Sequence, residues 1–184
     1  MNIFRQALAN PGTTGRRLGA FLGFALLIFV LDQATKAMVR NWLPLGETWP
    51  EGWTVIRIAH VQNTGAAFGI FQGGTSYLAI ASVFAILAIV VFLVTLPSHT
   101  RWYPLALSGI LGGAVGNLVD RVRLGYVTDF IDPMRYPSFN VADSAIVLSV
   151  GLVAFLTLFG HEDPPVGSEA QEDGAARARQ ETQT

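Results

Sequence analysis

Four long apolar stretches, joined by short polar links, organise this chain. They lie at about 18–39, 77–96, 103–119 and 141–159. A helix that crosses a bilayer needs about 20 mostly apolar residues. Each stretch therefore predicts a spanning helix, and the second carries no charge at all. Between the first two, at about 42–72, the pattern changes. Thr54-Val55-Ile56-Arg57-Ile58-Ala59-His60-Val61 is rich in β-branched residues and partly alternates, which predicts a strand. Gly46, Pro50 and Gly52 mark turns before it. Trp42, Trp49 and Trp53 suit the membrane–water interface, where aromatic rings collect. The expected fold is an all-α membrane protein with four transmembrane helices and a small extracytoplasmic β element. Residues 1–17 form a cytoplasmic segment and 18–160 the transmembrane domain. From His161 to Thr184 the composition turns to Glu, Gln, Pro, Gly and Arg, which predicts a disordered cytoplasmic tail. No internal repeat is visible.

The first stretch reads as an uncleaved anchor rather than a cleaved secretory signal. It exceeds the apolar core of about 7–15 residues that such signals carry, and Asp32 and Lys36 stand where small cleavage-site residues belong. Four spans put both termini on one side. Arg5, Arg16 and Arg17 precede the first span and Arg101 lies in the second link, which assigns that side to the cytoplasm. Lys36, Arg40, Arg57, Arg121, Arg123 and Arg135 on the opposite side weaken the bias.

Composition agrees with a membrane protein. Of 184 residues, 51% are hydrophobic and 14% charged, against about 25% charged in soluble domains. A net charge of -1 gives no footprint for nucleic acid. The absence of cysteine excludes disulfides, thiolate catalysis and thiolate metal ligands. His60, His99 and His161 are scattered at no metal-ligand spacing, so no metal site is expected.

Against this apolar background the polar residues are informative. Asp32 and Lys36, at i,i+4, share a helix face at the end of the first span. The simplest reading is a helical ion pair worth about 0.2–0.5 kcal/mol. Asn63-Thr64-Gly65-Ala66-Ala67-Phe68-Gly69 follows the strand. It reads either as a turn into the second span or as an amide held over a ligand backbone, which neighbouring small residues let approach. Gly109, Gly112, Gly113 and Gly116 predict close helix packing. Asn117, Asp120 and Arg121, at i, i+3 and i+4, make one polar face at the end of the third span.

Asp129 and Asp143 stand out most. Ionisable groups at membrane depth are costly and mark functional sites. Two carboxylates that face each other form an acid/base pair able to activate water. Asn140 and Asp143, three apart before an apolar run, also fit the grammar of a helix start, with Asn140 as N-cap and Asp143 completing the cap. A helix N-terminus favours an ionised Asp143. Asp129, flanked by Val127 and Phe130 on an apolar loop, more readily holds a proton.

At these residues the chain resembles the lipoprotein signal peptidases, also called signal peptidase II. The resemblance covers about 18–159 and rests on five motifs in family order. They are Asp32-Gln33-Ala34-Thr35-Lys36, Asn63-Thr64-Gly65-Ala66-Ala67-Phe68-Gly69, Gly116-Asn117-Leu118-Val119-Asp120-Arg121, Val127-Thr128-Asp129-Phe130 and Phe139-Asn140-Val141-Ala142-Asp143-Ser144. The resemblance implies a catalytic pair, Asp129 and Asp143, near the outer membrane face. Asn63, Gly65, Asn117, Asp120, Arg121, Asn140 and Ala142 become its supporting residues, with Asp32 and Lys36 more distant. It further implies hydrolysis of the bond before a diacylglyceryl-modified cysteine in bacterial prolipoproteins, at the inner membrane, with no metal or organic cofactor required. Membrane lipid and cyclic peptide inhibitors of the globomycin type are the other implied partners.

A proton-coupled small membrane transporter would also use intramembrane carboxylates. The absence of an inverted repeat, and the position of both aspartates at the rim, speak against it. A non-catalytic adaptor, with polar groups serving helix packing alone, is the third reading.

Overall fold

The computed structural model describes residues 11–65, 75–95 and 102–159. The end of the β-rich insert, Ala66 to Gly69 of the second motif and the polar tail lie outside the described residues. The elements are α1 (Pro11–Trp42), β1 (Thr48–Trp49), β2 (Arg57–Asn63), α2 (Thr75–Thr95), α3 (Trp102–Leu124), β3 (Val127–Asp132) and α4 (Val141–Phe159). Among the described residues, three helices contain segments long and apolar enough to cross a membrane: Leu18–Trp42, Trp102–Leu124 and Val141–Phe159. Tyr77–Phe92 is apolar but shorter.

The arrangement is inside-out relative to a soluble bundle. Leu22, Leu26, Leu87, Val147 and Leu148 face outward, while Asp32, Lys36, Ser108, Asn117 and Asp120 are buried. Helix α3 is central, packing against α1, α2 and α4. Its glycines explain how. A Cβ on Gly112 would lie 2.5 Å from the Ala25 carbonyl oxygen of α1, and one on Gly113 would lie 2.5 Å from the Ala142 carbonyl oxygen of α4. On Gly109 it would collide with the Ser149 hydroxyl, and on Gly116 it would sit 2.5 Å from Oδ2 of Asp32. The small-residue row thus brings backbones together on two sides of one helix, as expected. Phe21, Ile89 and Leu107 form an apolar core among α1, α2 and α3. Val39, Leu43 and Phe130 form a second core where α1 meets the sheet.

The sheet departs from the sequence expectation. It is antiparallel with order β1-β2-β3, so it is not confined to the 42–72 insert. The segment around Asp129, expected as a loop, is strand β3. Gly125 explains the entry to it. At φ 79°, its N–H donates to the Arg121 carbonyl oxygen at 3.1 Å, a left-handed helix cap that ends α3 and redirects the chain. In β2, Ala59 and His60 together oppose Phe130, because the register shifts between Ile58 and Val61. This bulge bends the strand and leaves Asn63 paired with Val127. Asn63 then shares a face with Asp129, two residues further along β3.

After β3 the chain turns back at once. The Asp132 carboxylate accepts from the Met134 N–H at 2.9 Å, and Phe139 bridges Ile131. Arg57 donates to Asp132 across the strands at 2.7 Å. The return delivers Asn140 beside Asp129 and starts α4.

Candidate active site

Asn140 connects the two aspartates. Its side-chain N–H donates to Oδ1 of Asp129 at 2.7 Å, and its backbone N–H donates to Oδ2 of Asp143 at 3.3 Å. In return its Oδ1 accepts from the Asp143 N–H at 3.0 Å. The last two bonds are the reciprocal cap of α4 anticipated from the sequence. The cap and the pairing of carboxylates, alternatives at the sequence level, coexist in one residue.

Each carboxylate has a further amide donor. Asn63 donates to Oδ2 of Asp129 at 2.8 Å, and Asn117 donates to Oδ1 of Asp143 at 2.7 Å. Asn63 is itself oriented by the Gly65 N–H, which donates to its Oδ1 at 2.9 Å. The three amides leave two acidic side chains from different elements converging on one place. Burial pushes the Asp129 carboxyl up to about 7, with the neighbouring Asp143 charge adding to the effect and the Asn63 and Asn140 amides opposing it. Near neutral pH Asp129 is thus poised to carry a proton. Arg121 is half-buried and lies within the electrostatic field of Asp143, Asp129 and Asp120.

Beneath the pair lies a buried ionic cluster. Lys36 Nζ is 2.8 Å from Asp32 and 3.4 Å from Asp120, and it donates to Oδ1 of Asn117 at 2.8 Å. Because Lys36 occupies the Asn117 oxygen, the amide N–H of Asn117 must point at Asp143. Arg40 lies 3.9 Å from Asp120 and donates to the Thr128 hydroxyl at 2.9 Å. The Asp32–Lys36 contact is the expected i,i+4 pair, but its setting differs from that expectation. Both side chains are fully buried, so the exposed-helix value does not apply. Removing one partner of a buried pair costs about 3–5 kcal/mol, because a charge is left unpaired.

Asp32 has a second task. Its Oδ1 accepts from the Ala142 N–H at 3.0 Å, so α1 supplies a carboxylate to the N-terminus of α4, where the helix dipole favours it. Ala142 is fully buried. Asp120 accepts from the Thr128 N–H at 3.2 Å and so fixes β3 next to Asp129. It pairs with Lys36 and Arg40, not with adjacent Arg121.

The sequence-predicted residues therefore gather at one end of the bundle: Asp32, Lys36, Asn63, Gly65, Asn117, Asp120, Arg121, Asp129, Asn140, Ala142 and Asp143. Three contributors were not assigned a role from the sequence. Thr128 is fully buried and bonded to Arg40. Gln33 donates to Asp120 and to the Gly116 carbonyl oxygen. Arg40 follows Lys36 by one helical turn, and that spacing is the signal that would have found it. His60 is buried, with Nδ1 2.8 Å from the Leu43 carbonyl oxygen, so it is a core histidine. Among the described residues, no three His, Cys, Asp or Glu side chains converge as metal ligands.

Two solved bacterial membrane-enzyme structures superpose with TM-scores of 0.72 and 0.70, at 28% and 29% identity. They cover 80% and 78% of this chain and 94% and 95% of their own. Lipoprotein signal peptidase of Dehalococcoides mccartyi is 48% identical over 132 residues, spanning 70% of this chain and 81% of its own. That of Moorella thermoacetica is 36% identical over 152 residues, spanning 83% and 98%. The family model for signal peptidase (SPase) II matches residues 24–159, a range that begins within α1 and takes in both aspartates and every polar partner described above. Similarity across residues 24–159 and a fold shared with membrane enzymes lead to one conclusion: the chain belongs to the signal peptidase II family.

Proposed function

We propose that Asp129 and Asp143 are the catalytic pair of this signal peptidase, cleaving prolipoproteins at the bond before the lipid-modified cysteine. The observation that carries the assignment is Asn140, which binds both carboxylates at once. Asp143, at a helix N-terminus, takes a proton from water, and the oxygen attacks the scissile carbonyl carbon. Asp129 in its neutral form donates a hydrogen bond to the carbonyl oxygen and then protonates the leaving amine. Asn63, Gly65, Asn117, Asn140 and Arg121 hold the pair and the substrate backbone, while Asp32, Lys36, Asp120 and Ala142 fix the elements beneath. Family membership favours this reading over a proton-coupled transporter.

The substrate chemistry fits the position. The lipid of the modified cysteine stays in the bilayer, and the scissile bond meets the site at the rim, where water reaches it. The test uses purified enzyme in a bilayer, a diacylglyceryl-modified peptide, and mass spectrometry of the products. A single cut before the modified cysteine is expected, undiminished after EDTA and phenanthroline and blocked by a globomycin-type cyclic peptide. Cleavage elsewhere, or none, would refute the reading.

A pH dependence follows from the proton on Asp129. Its carboxyl is raised to about 7, so the proton is present below that pH and lost above it. Cleavage should fall as pH rises through about 7. Asn63 donates a hydrogen bond that lowers this value. Asn63→Ala should therefore shift the basic limb of the pH–rate profile upward, besides slowing the reaction. A limb that stays in place or moves down would show that another group sets it.

We further infer that α2 also crosses, giving four spans in the inner membrane with both termini cytoplasmic and Asn63, Asp129 and Asp143 at the outer face. The chain has no native cysteine, so the orientation is directly measurable. Glu51→Cys should react with an impermeant maleimide in intact spheroplasts, and Ser98→Cys only after lysis. Glu51 is exposed and avoids Gly52, whose φ of 75° disfavours a side chain. The reverse labelling pattern would place the aspartates on the cytoplasmic side and remove the basis for lipoprotein cleavage.

A further inference from the structure

The link between α1 and β2 carries an apolar surface that neither the bundle nor the catalytic pair uses. Trp42, Leu45, Trp49, Trp53, Val55 and Ile56 are each more than half exposed. Scattered exposed apolar residues are ordinary, but so many large ones within one short turn-rich link mark a contact surface. This one continues a membrane-facing element. Trp42 is the last residue of the Leu18–Trp42 apolar segment, and Met38, one turn before it, is also exposed. The Trp42 and Trp49 rings meet edge to face, with centroids 5.4 Å apart and planes at 70°. The end of the span and the start of the sheet thus share one aromatic face.

The chemistry of the face selects its occupant. Indole rings with one polar N–H prefer the boundary between acyl chains and headgroups. The charged residues nearest the tip, Glu47 and Glu51, are exposed and acidic. The bases that flank the link are both engaged, Arg40 by Asp120 and Thr128 and Arg57 by Asp132. Such a surface would not be recruited by anionic lipid.

We propose that this link is a lipid-docking spur, seated among zwitterionic headgroups of the leaflet that borders the active site. It would set the height of that site above the bilayer. The coupling is short. Trp49 pairs with Ile58, and β2 then runs to Asn63, which holds Asp129. A substrate anchored by lipid in the same leaflet presents its scissile bond at a fixed height, so a spur that fixes the enzyme's height aligns the two. The alignment rests on the lipoprotein-cleaving reading, whereas the docking does not.

The test separates these parts. Trp102→Phe leaves only Trp42, Trp49 and Trp53 as tryptophans. This variant is placed in phosphatidylcholine bilayers with bromines near the glycerol or near the chain end. Most of its emission should be lost with shallow bromines and little with deep ones, and adding phosphatidylglycerol should not change the result. Emission untouched by bromine but quenched by aqueous iodide would overturn the proposal. So would blue-shifted emission that neither agent reaches, which would mean that a second copy or another protein covers the face. In the second arm, Trp49→Ser with Trp53→Ser should lower kcat/KM about tenfold for a bilayer-embedded lipidated peptide, chiefly through KM. Turnover of the same peptide in detergent should be unchanged. An equal loss in both media would show a folding role and overturn the alignment. Should the wild-type enzyme cleave neither substrate, the catalytic reading fails while the quenching result still decides the docking.

Discussion

Asp129→Asn and Asp143→Asn should each lower the turnover of a lipidated peptide by about 10²–10⁴-fold, the range in which a positioned general acid or base contributes. Folding should survive both changes, because the amide is nearly the shape of the carboxyl it replaces. In Asp129→Asn, burial no longer has a charge to disfavour, so this variant should unfold no more easily than wild type. Its oxygen can still accept one of the Asn63 and Asn140 bonds. In Asp143→Asn, the side-chain oxygen can still accept from Asn117 or from the Asn140 N–H, and the Asp143 backbone bond to Asn140 is untouched. What each variant loses is a group that can take up or release a proton. The measurement is single-turnover cleavage alongside thermal unfolding in the same detergent. Near-normal cleavage by either folded variant would remove that residue from the chemistry. The double variant is informative too. Two groups that act on one proton inventory should lose little more together than either loses alone.

Lys36→Met should cause a large loss of stability, about 3–5 kcal/mol. Lys36 is fully buried with two acidic partners, Asp32 and Asp120. Removing its charge leaves excess negative charge in the bundle, beyond what Arg40 balances from 3.9 Å. The variant also frees the Asn117 amide to turn away from Asp143, so activity should fall as well. Adding Asp120→Asn tests the cause. It restores the charge balance and keeps an oxygen for the Thr128 N–H, so it should recover part of the unfolding midpoint. If the double variant were less stable than Lys36→Met alone, lost packing rather than unpaired charge would explain the effect.

Much of this protein was legible along the chain. The long apolar stretches announce spanning helices because a backbone in hydrocarbon must satisfy its own hydrogen bonds, and a helix does so within one segment. The glycine row of α3 announced close packing, and Asn140 with Asp143 announced the start of α4, because small-residue spacing and helix caps are local geometry. Asp129 and Asp143 stood out because ionisable groups at membrane depth are too costly to be incidental, whereas their supporting residues were named by the family resemblance.

Tertiary structure decided the rest. Val127–Asp132 is a strand only because β2 offers it a partner more than sixty residues away in sequence. Nothing in a short apolar run with one aspartate distinguishes that from a loop. Asp32 and Lys36 read locally as a modest helical pair, and only the approach of α3 and α4 buries them and turns Asp32 into a cap for Ala142. The raised carboxyl of Asp129 depends on that same enclosure. Burial and a facing carboxylate raise its carboxyl to about 7, and neither exists until the bundle and the sheet close around it. Sequence determines which groups are present and which segments leave water. The free energy of each buried charge is set by neighbours that only the fold brings within reach.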